Sequence, residues 1–187
     1  MTRPAATSKP VEDSDRRLVR PALPHEIDSV IALLKDAARW SSRFGVPIWK
    51  PDEFTVDEHT DLLDRGELIV GLQDEALAAT MRLQTEDRLF WPEDQPGDAL
   101  YIHKLAVDRS YARSGWPSRL VGYARISARN AHIPFLKLDT VPLPRMLDLY
   151  RDLGFVLVDG GARDFAGRQL VRLRSNLKAV GSASRGP

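Results

Sequence analysis

The sequence contains no cysteine. That removes a disulfide framework, a thiolate nucleophile and any cysteine-ligated zinc site together. No apolar run approaches the roughly 20 residues that a membrane-spanning helix needs. Arg16 and Arg17 form a twin-arginine pair, but Pro21, His25 and Glu26 follow where an export signal would be apolar. The expectation is a soluble, cytoplasmic chain with no membrane partner. His25, His59 and His132 are scattered without the spacing of a ligand set, so no metal is expected. A Gly-x-Ser-x-Gly elbow is also missing, which leaves no basis for a serine hydrolase. Net charge is almost absent, at +1.

The 187 residues are 43% apolar and 28% charged. These values suit one folded domain with a sizeable core and exclude full disorder. The near-neutral total conceals a division along the chain. Residues 51–99 carry 3 basic and 14 acidic residues, whereas residues 100–187 carry 15 basic and 6 acidic. Two surfaces of opposite sign follow, one suited to a cation and one to a polyanion. Two solvated faces would read the same way.

Residues 1–15 and 175–187 have the composition of disordered tails, and a single domain is expected over 16–174. Strands are expected at 18–21, 68–72, 77–83, 100–107, 135–141, 155–158 and 169–174. Helices are expected from Pro24, from Thr55 with its capping-box partner Glu58, from Pro117 and over 145–153. The order is β-α-α-β-β-β-α-β-α-β-β: an α/β fold whose mixed, mostly antiparallel sheet of six to seven strands carries helices on both faces.

Two stretches carry chemistry. The first is YIHKLAVD at 101–108 followed by YARSGWPSRL at 111–120. It reads as a buried strand, a glycine-containing turn and a helix start whose free amides attract phosphate. Arg109, Arg113 and Arg119 add positive charge there. The second is LDTV at 138–141 followed by MLDLYRDLGF at 146–155. Together they resemble the GNAT superfamily of N-acetyltransferases over residues 17–174. The resemblance implies the GNAT fold, transfer of an acyl group to an amine, and acyl-CoA, such as acetyl-CoA, as co-substrate. It leaves a homodimer open. Against the family's phosphate loop, Gly115 stands at the first glycine. Ala112 stands at the basic position and Pro117 at the second small one. Proline offers no N–H. The Asn that many relatives carry before the last helix is absent from residues 142–144.

These departures leave three functions open. One is transfer from acyl-CoA to the amine of a small metabolite. Another is amide formation from aminoacyl-tRNA or a carrier-bound acyl group, as in natural-product biosynthesis, which the basic half would suit. The third is a non-catalytic GNAT-fold module that binds a partner.

By resemblance, Tyr150 is the general acid for the leaving group; its alternative is packing with Met146 and Leu153. His103 is a candidate base, directly or through water, or a structural histidine. Lys104 should face the other side of the sheet. The backbone of Leu105, Ala106 and Val107 is expected to pair with the donor's pantetheine, with Leu105 and Ala106 amides steadying the oxyanion. Arg113, Ser114, Gly115, Trp116, Ser118 and Arg119 are expected around the donor's phosphates. Asp139 either orients His103 or an amine, or caps a loop. Trp40, Trp49 and Trp91, with Glu93 and Asp94, would form an aromatic, acidic wall for a cationic amine, or each tryptophan packs locally.

Overall fold

A computed structural model describes residues 16–43, 45, 48–158, 163–165 and 167–177. The expected tail at 1–15, and residues 178–187 of the tail expected at 175–187, lie outside the described residues. The chain opens with strand β1 (Arg17–Pro21). A 3-10 turn at Pro24–Glu26 leads into helix α1 (Ile27–Arg43). Ile27, Val30, Ile31, Leu34 and Ala38 recur at helical spacing, and all are buried. Helix α2 (Val56–Asp64) is capped by Thr55, whose hydroxyl accepts from the Glu58 amide at 3.3 Å. The Glu58 carboxylate turns instead to Arg82, at 2.7 and 3.0 Å, so only half of the capping box forms.

Strands β2 (Leu68–Gln73) and β3 (Ala76–Gln84) make the expected hairpin. Asp74 and Glu75 both take positive φ, 49° and 68°, which is the tight turn that suits twisted strands. Strand β4 (Ala99–Val107) is antiparallel to β3, and helix α3 (Trp116–Asn130) follows it. Then come strand β5 (Phe135–Thr140), helix α4 (Pro144–Asp152) and the short strand β6 (Val156–Leu157). A short strand not foreseen in the sequence, β7 (Arg163–Phe165), pairs with β8 (Arg168–Asn176). Strand β8 also runs two residues past its expected end, and Ser175 is buried in it rather than opening a tail.

The strand order is β1-β2-β3-β4-β5-β8-β6, with β7 on β8. Alternation along β2 divides the core. Leu68, Val70 and Leu72 face α1 and α2. Ile69 turns to the other face, with Met81, Leu100, Ile102, Leu136 and Leu138 beneath α3 and α4. Helices therefore cover both faces. Among the described residues only β4 and β5 pair in parallel, and their pairing covers just Ala99↔Phe135, Leu100↔Leu136 and Tyr101↔Lys137. Beyond Tyr101 the two strands part, and the site lies at that opening.

Candidate active site

The register between β3 and β4 jumps from Thr80↔Ala106 to Arg82↔His103. Lys104 and Leu105 together therefore oppose Met81, which makes a β-bulge. Lys104 takes φ of 50°, a strained value for a residue with a side chain. The bulge breaks the alternation that would have sent Lys104 to the far face. His103, Lys104 and Leu105 instead line one cavity of about 750 Å³, together with Trp49, Asp139 and Tyr150. The expected separation of His103 from Lys104 is thus corrected.

Charges around this cavity are mostly paired. Lys104 meets Glu53 at 3.5 Å and lies over the rings of Trp49 and Phe54. Burial lowers the Lys104 pKa. Arg82 is held by Glu58, and Arg88 meets Glu86 at 3.1 Å. The exception is a cluster at the cavity wall. His103 Nε2 faces Asp87 Oδ2 and His103 Nδ1 faces Asp139 Oδ1, each at 3.4 Å. Both carboxylate oxygens are buried and have no hydrogen-bond partner among the described residues. The Asp87 side chain is only 5% exposed. Its other oxygen accepts from the amides of Leu89 and Phe90. Burial raises the Asp87 pKa. These oxygens want donors: an ammonium could supply them. A divalent ion could use the same set, since one ligand atom from each residue lies within 4.8 Å of the others.

Tyr150 is buried on α4 and packs edge-to-face with Phe155 at 5.9 Å. Burial first, and the charge of Asp139 second, push its phenol pKa up. It therefore stays protonated, as a proton donor must.

The β4–α3 turn has the form of an anion site. Arg113 and Gly115 take positive φ, 63° and 83°, and Gly115 caps α3. Arg17 reaches across from β1 to hold the Ser114 carbonyl oxygen at 2.8 Å, and Ser114 Oγ donates to the Tyr111 carbonyl oxygen. The amides of Trp116 and Ser118 fall in the first turn, where no intrahelical acceptor exists. Pro117 is the second helical residue, not the first as expected, and contributes no N–H. Arg113, Ser118 and Arg119 are exposed around the turn. The Trp116 side chain is not there: it is fully buried against Gly71, so only its amide can meet an anion. Ala106 and Val107 continue β4 along the opening.

The three candidate wall tryptophans separate. Trp49 lines the cavity. Trp40 sits on α1 beneath the Arg145 guanidinium, 5.7 Å from its ring centre. Trp91 is buried between Lys137 and Arg172, at 4.3 and 4.4 Å. Asp94 is taken by Lys137 and the Tyr101 hydroxyl, and Glu93 by Arg172. Trp91, Glu93 and Asp94 thus form a structural ion cluster, not an acceptor wall. Sequence reasoning missed Asp87, whose signal was its pattern with the amides two and three residues on, an Asx turn ahead of Trp91.

Residues 34–155 match the family model of the acetyltransferase (GNAT) family. The chain belongs to the GNAT family. It is an acyltransferase, which sets aside the non-catalytic reading. A relative, the uncharacterized N-acetyltransferase YesJ of Bacillus subtilis, is 28% identical over 152 residues, 78% of this chain and 84% of YesJ. A GNAT-family acetyltransferase of Listeria monocytogenes superposes with a TM-score of 0.68 at 21% identity, covering 86% of this chain and 94% of that one. The PaiA N-acetyltransferase of Thermoplasma acidophilum, solved with coenzyme A, superposes with a TM-score of 0.67 at 11% identity, covering 86% and 98%. Both superpositions report the shared GNAT fold. Among the described residues, no helix is long and apolar enough to cross a membrane.

Proposed function

We propose that this GNAT enzyme transfers an acyl group from acyl-CoA directly to a cationic amine of a small metabolite. The observation that carries the reading is the pair of buried carboxylate oxygens on Asp87 and Asp139 that flank His103 in the cavity and accept no hydrogen bond among the described residues. An ammonium group supplies N–H donors to both oxygens and neutralises charge that is costly to bury alone. His103 then takes the proton and the neutral nitrogen attacks the acyl carbon. The parted β4 and β5 strands and the open amides of the β4–α3 turn fit the donor's pantetheine and phosphates. The donor supplies the activated thioester. The Leu105 amide steadies the oxyanion, since the Ala106 amide faces Thr80 of β3, and the Tyr150 hydroxyl protonates the departing sulfur.

Thiol release from acetyl-CoA in the presence of a panel of primary amines tests this. Wild type should accelerate release with at least one amine. Asp139→Asn should raise KM for that amine about tenfold to a hundredfold, the worth of one hydrogen bond to a charged group, and leave donor KM unchanged. Release that no amine accelerates, or an amine KM indifferent to Asp139→Asn, sinks the proposal. A second reading has one observation in its favour, since Pro117 removes an amide from the donor turn. Under it the donor is an aminoacyl-tRNA or a carrier-bound acyl group, and RNase would abolish a tRNA-dependent reaction.

A further inference from the structure

The β4–α3 turn has Arg113 and Arg119 exposed beside it, while Ala112 adds no charge. The opening between β4 and β5 has a second lip, where β5 leads into α4. Arg145 stands there as the second residue of α4 and is exposed. Helices α1 and α4 lie on opposite faces of the sheet, as the two core clusters require. Yet the Arg145 guanidinium rests over the Trp40 ring of α1 at 5.7 Å. That contact must cross the rim of the sheet where β4 and β5 part. One helical turn before Trp40, Asp36 meets Arg109, just after β4, at 3.4 Å. Helix α1 thus touches both lips through residues four apart on one face.

Both contacts are weak. Arg109 and Asp36 are each more than half exposed, so water and salt screen the pair. Arg145 has no carboxylate partner among the described residues. A guanidinium of this kind prefers a bidentate oxyanion to an aromatic face.

We propose that Arg145 is a donor-binding residue, which leaves Trp40 to take a phosphate oxygen of the entering acyl-CoA. It would hold that charge from the α4 lip, opposite the β4–α3 turn. The proposal rests on acyl-CoA as donor, the reading given above.

The experiment compares two donors, acetyl-CoA and S-acetylpantetheine, which keeps the thioester and lacks the phosphates. Arg145→Ala should raise KM for acetyl-CoA about tenfold to a hundredfold and change kcat by less than about threefold. KM for S-acetylpantetheine should not change. Arg145→Lys, which keeps the charge without the fork, should fall between wild type and alanine. An equal rise in KM for both donors, or a fall in kcat alone, overturns the assignment and makes Arg145 a packing partner of α1. So does an acetyl-CoA KM that Arg145→Ala leaves unchanged. Wild type that neither binds nor turns over acetyl-CoA overturns the donor reading itself, and the assignment with it.

Discussion

Tyr150 carries the clearest consequence at the scale of single residues. Its phenol is buried, and burial with the Asp139 charge holds its pKa above the ordinary 10.0. It therefore remains an acid throughout the range in which amines are assayed. Tyr150→Phe keeps the ring against Phe155 and removes only the hydroxyl. It should lower kcat about a hundredfold or more, with an unchanged melting temperature. Because Tyr150 does not titrate below pH 10, the kcat–pH profile should keep its shape between pH 6 and 10 in the variant. An alkaline limb that vanishes in Tyr150→Phe would show that the phenol ionises in that range, against this account. Tyr150, His103 and Asp139 were legible in the sequence because they sit in two recognisable strand-to-helix stretches. Asp87 was not. It lies in the loop ahead of β4, and only tertiary folding carries it to His103. Trp91 misled for the opposite reason, because aromatic and acidic residues adjacent in sequence were already satisfied by Lys137 and Arg172 from distant strands.

At the scale of elements, α3 and β2 are coupled through one contact. Trp116 opens α3 and drives its ring onto Gly71 of β2. A Cβ at Gly71 would fall 2.5 Å from Trp116 Cζ3 and 2.8 Å from Cε3. Gly71→Ala should therefore destabilise the fold by about 1–3 kcal/mol, an overpacking cost, read as the loss of free energy in denaturant melts. Adding Trp116→Leu should relieve the clash, so the double variant should be less destabilised than the sum of the singles. Additive effects would mean the two residues do not meet. Periodicity predicted most elements well, since α1, α2 and the β2–β3 hairpin show strong spacing and punctuation. It failed where a local device interrupts it. The bulge at Lys104 breaks a two-residue alternation that no nearby glycine or proline announces. Strand β7 spans only Arg163–Phe165 and leaves no periodic trace. The start of α3 slipped by one residue because Trp116, which precedes the proline, already has helical backbone.

At the scale of the whole molecule, the division of charge along the chain takes on a different meaning. The acidic block and the basic half were read as two faces for two substrates. Folding sets much of one against the other: Glu53 on Lys104, Asp94 on Lys137, and Glu93 on Arg172. Among the buried polar atoms left without a hydrogen bond in the described residues, two are carboxylate oxygens, and both lie around His103 where β4 and β5 part. The absence of cysteine has a consequence at this scale too. With no thiol to carry an acyl group, transfer should be direct, with donor and amine bound together. The most direct measurement mixes the enzyme with acetyl-CoA labelled in the acetyl group, first without and then with the accepted amine. Without amine, intact-protein mass spectrometry should find no label on the chain and no burst of free CoA. With amine, each CoA released should match one labelled acetamide. A labelled protein formed before the amine is added, or CoA released with no acetamide, would contradict direct transfer to an amine.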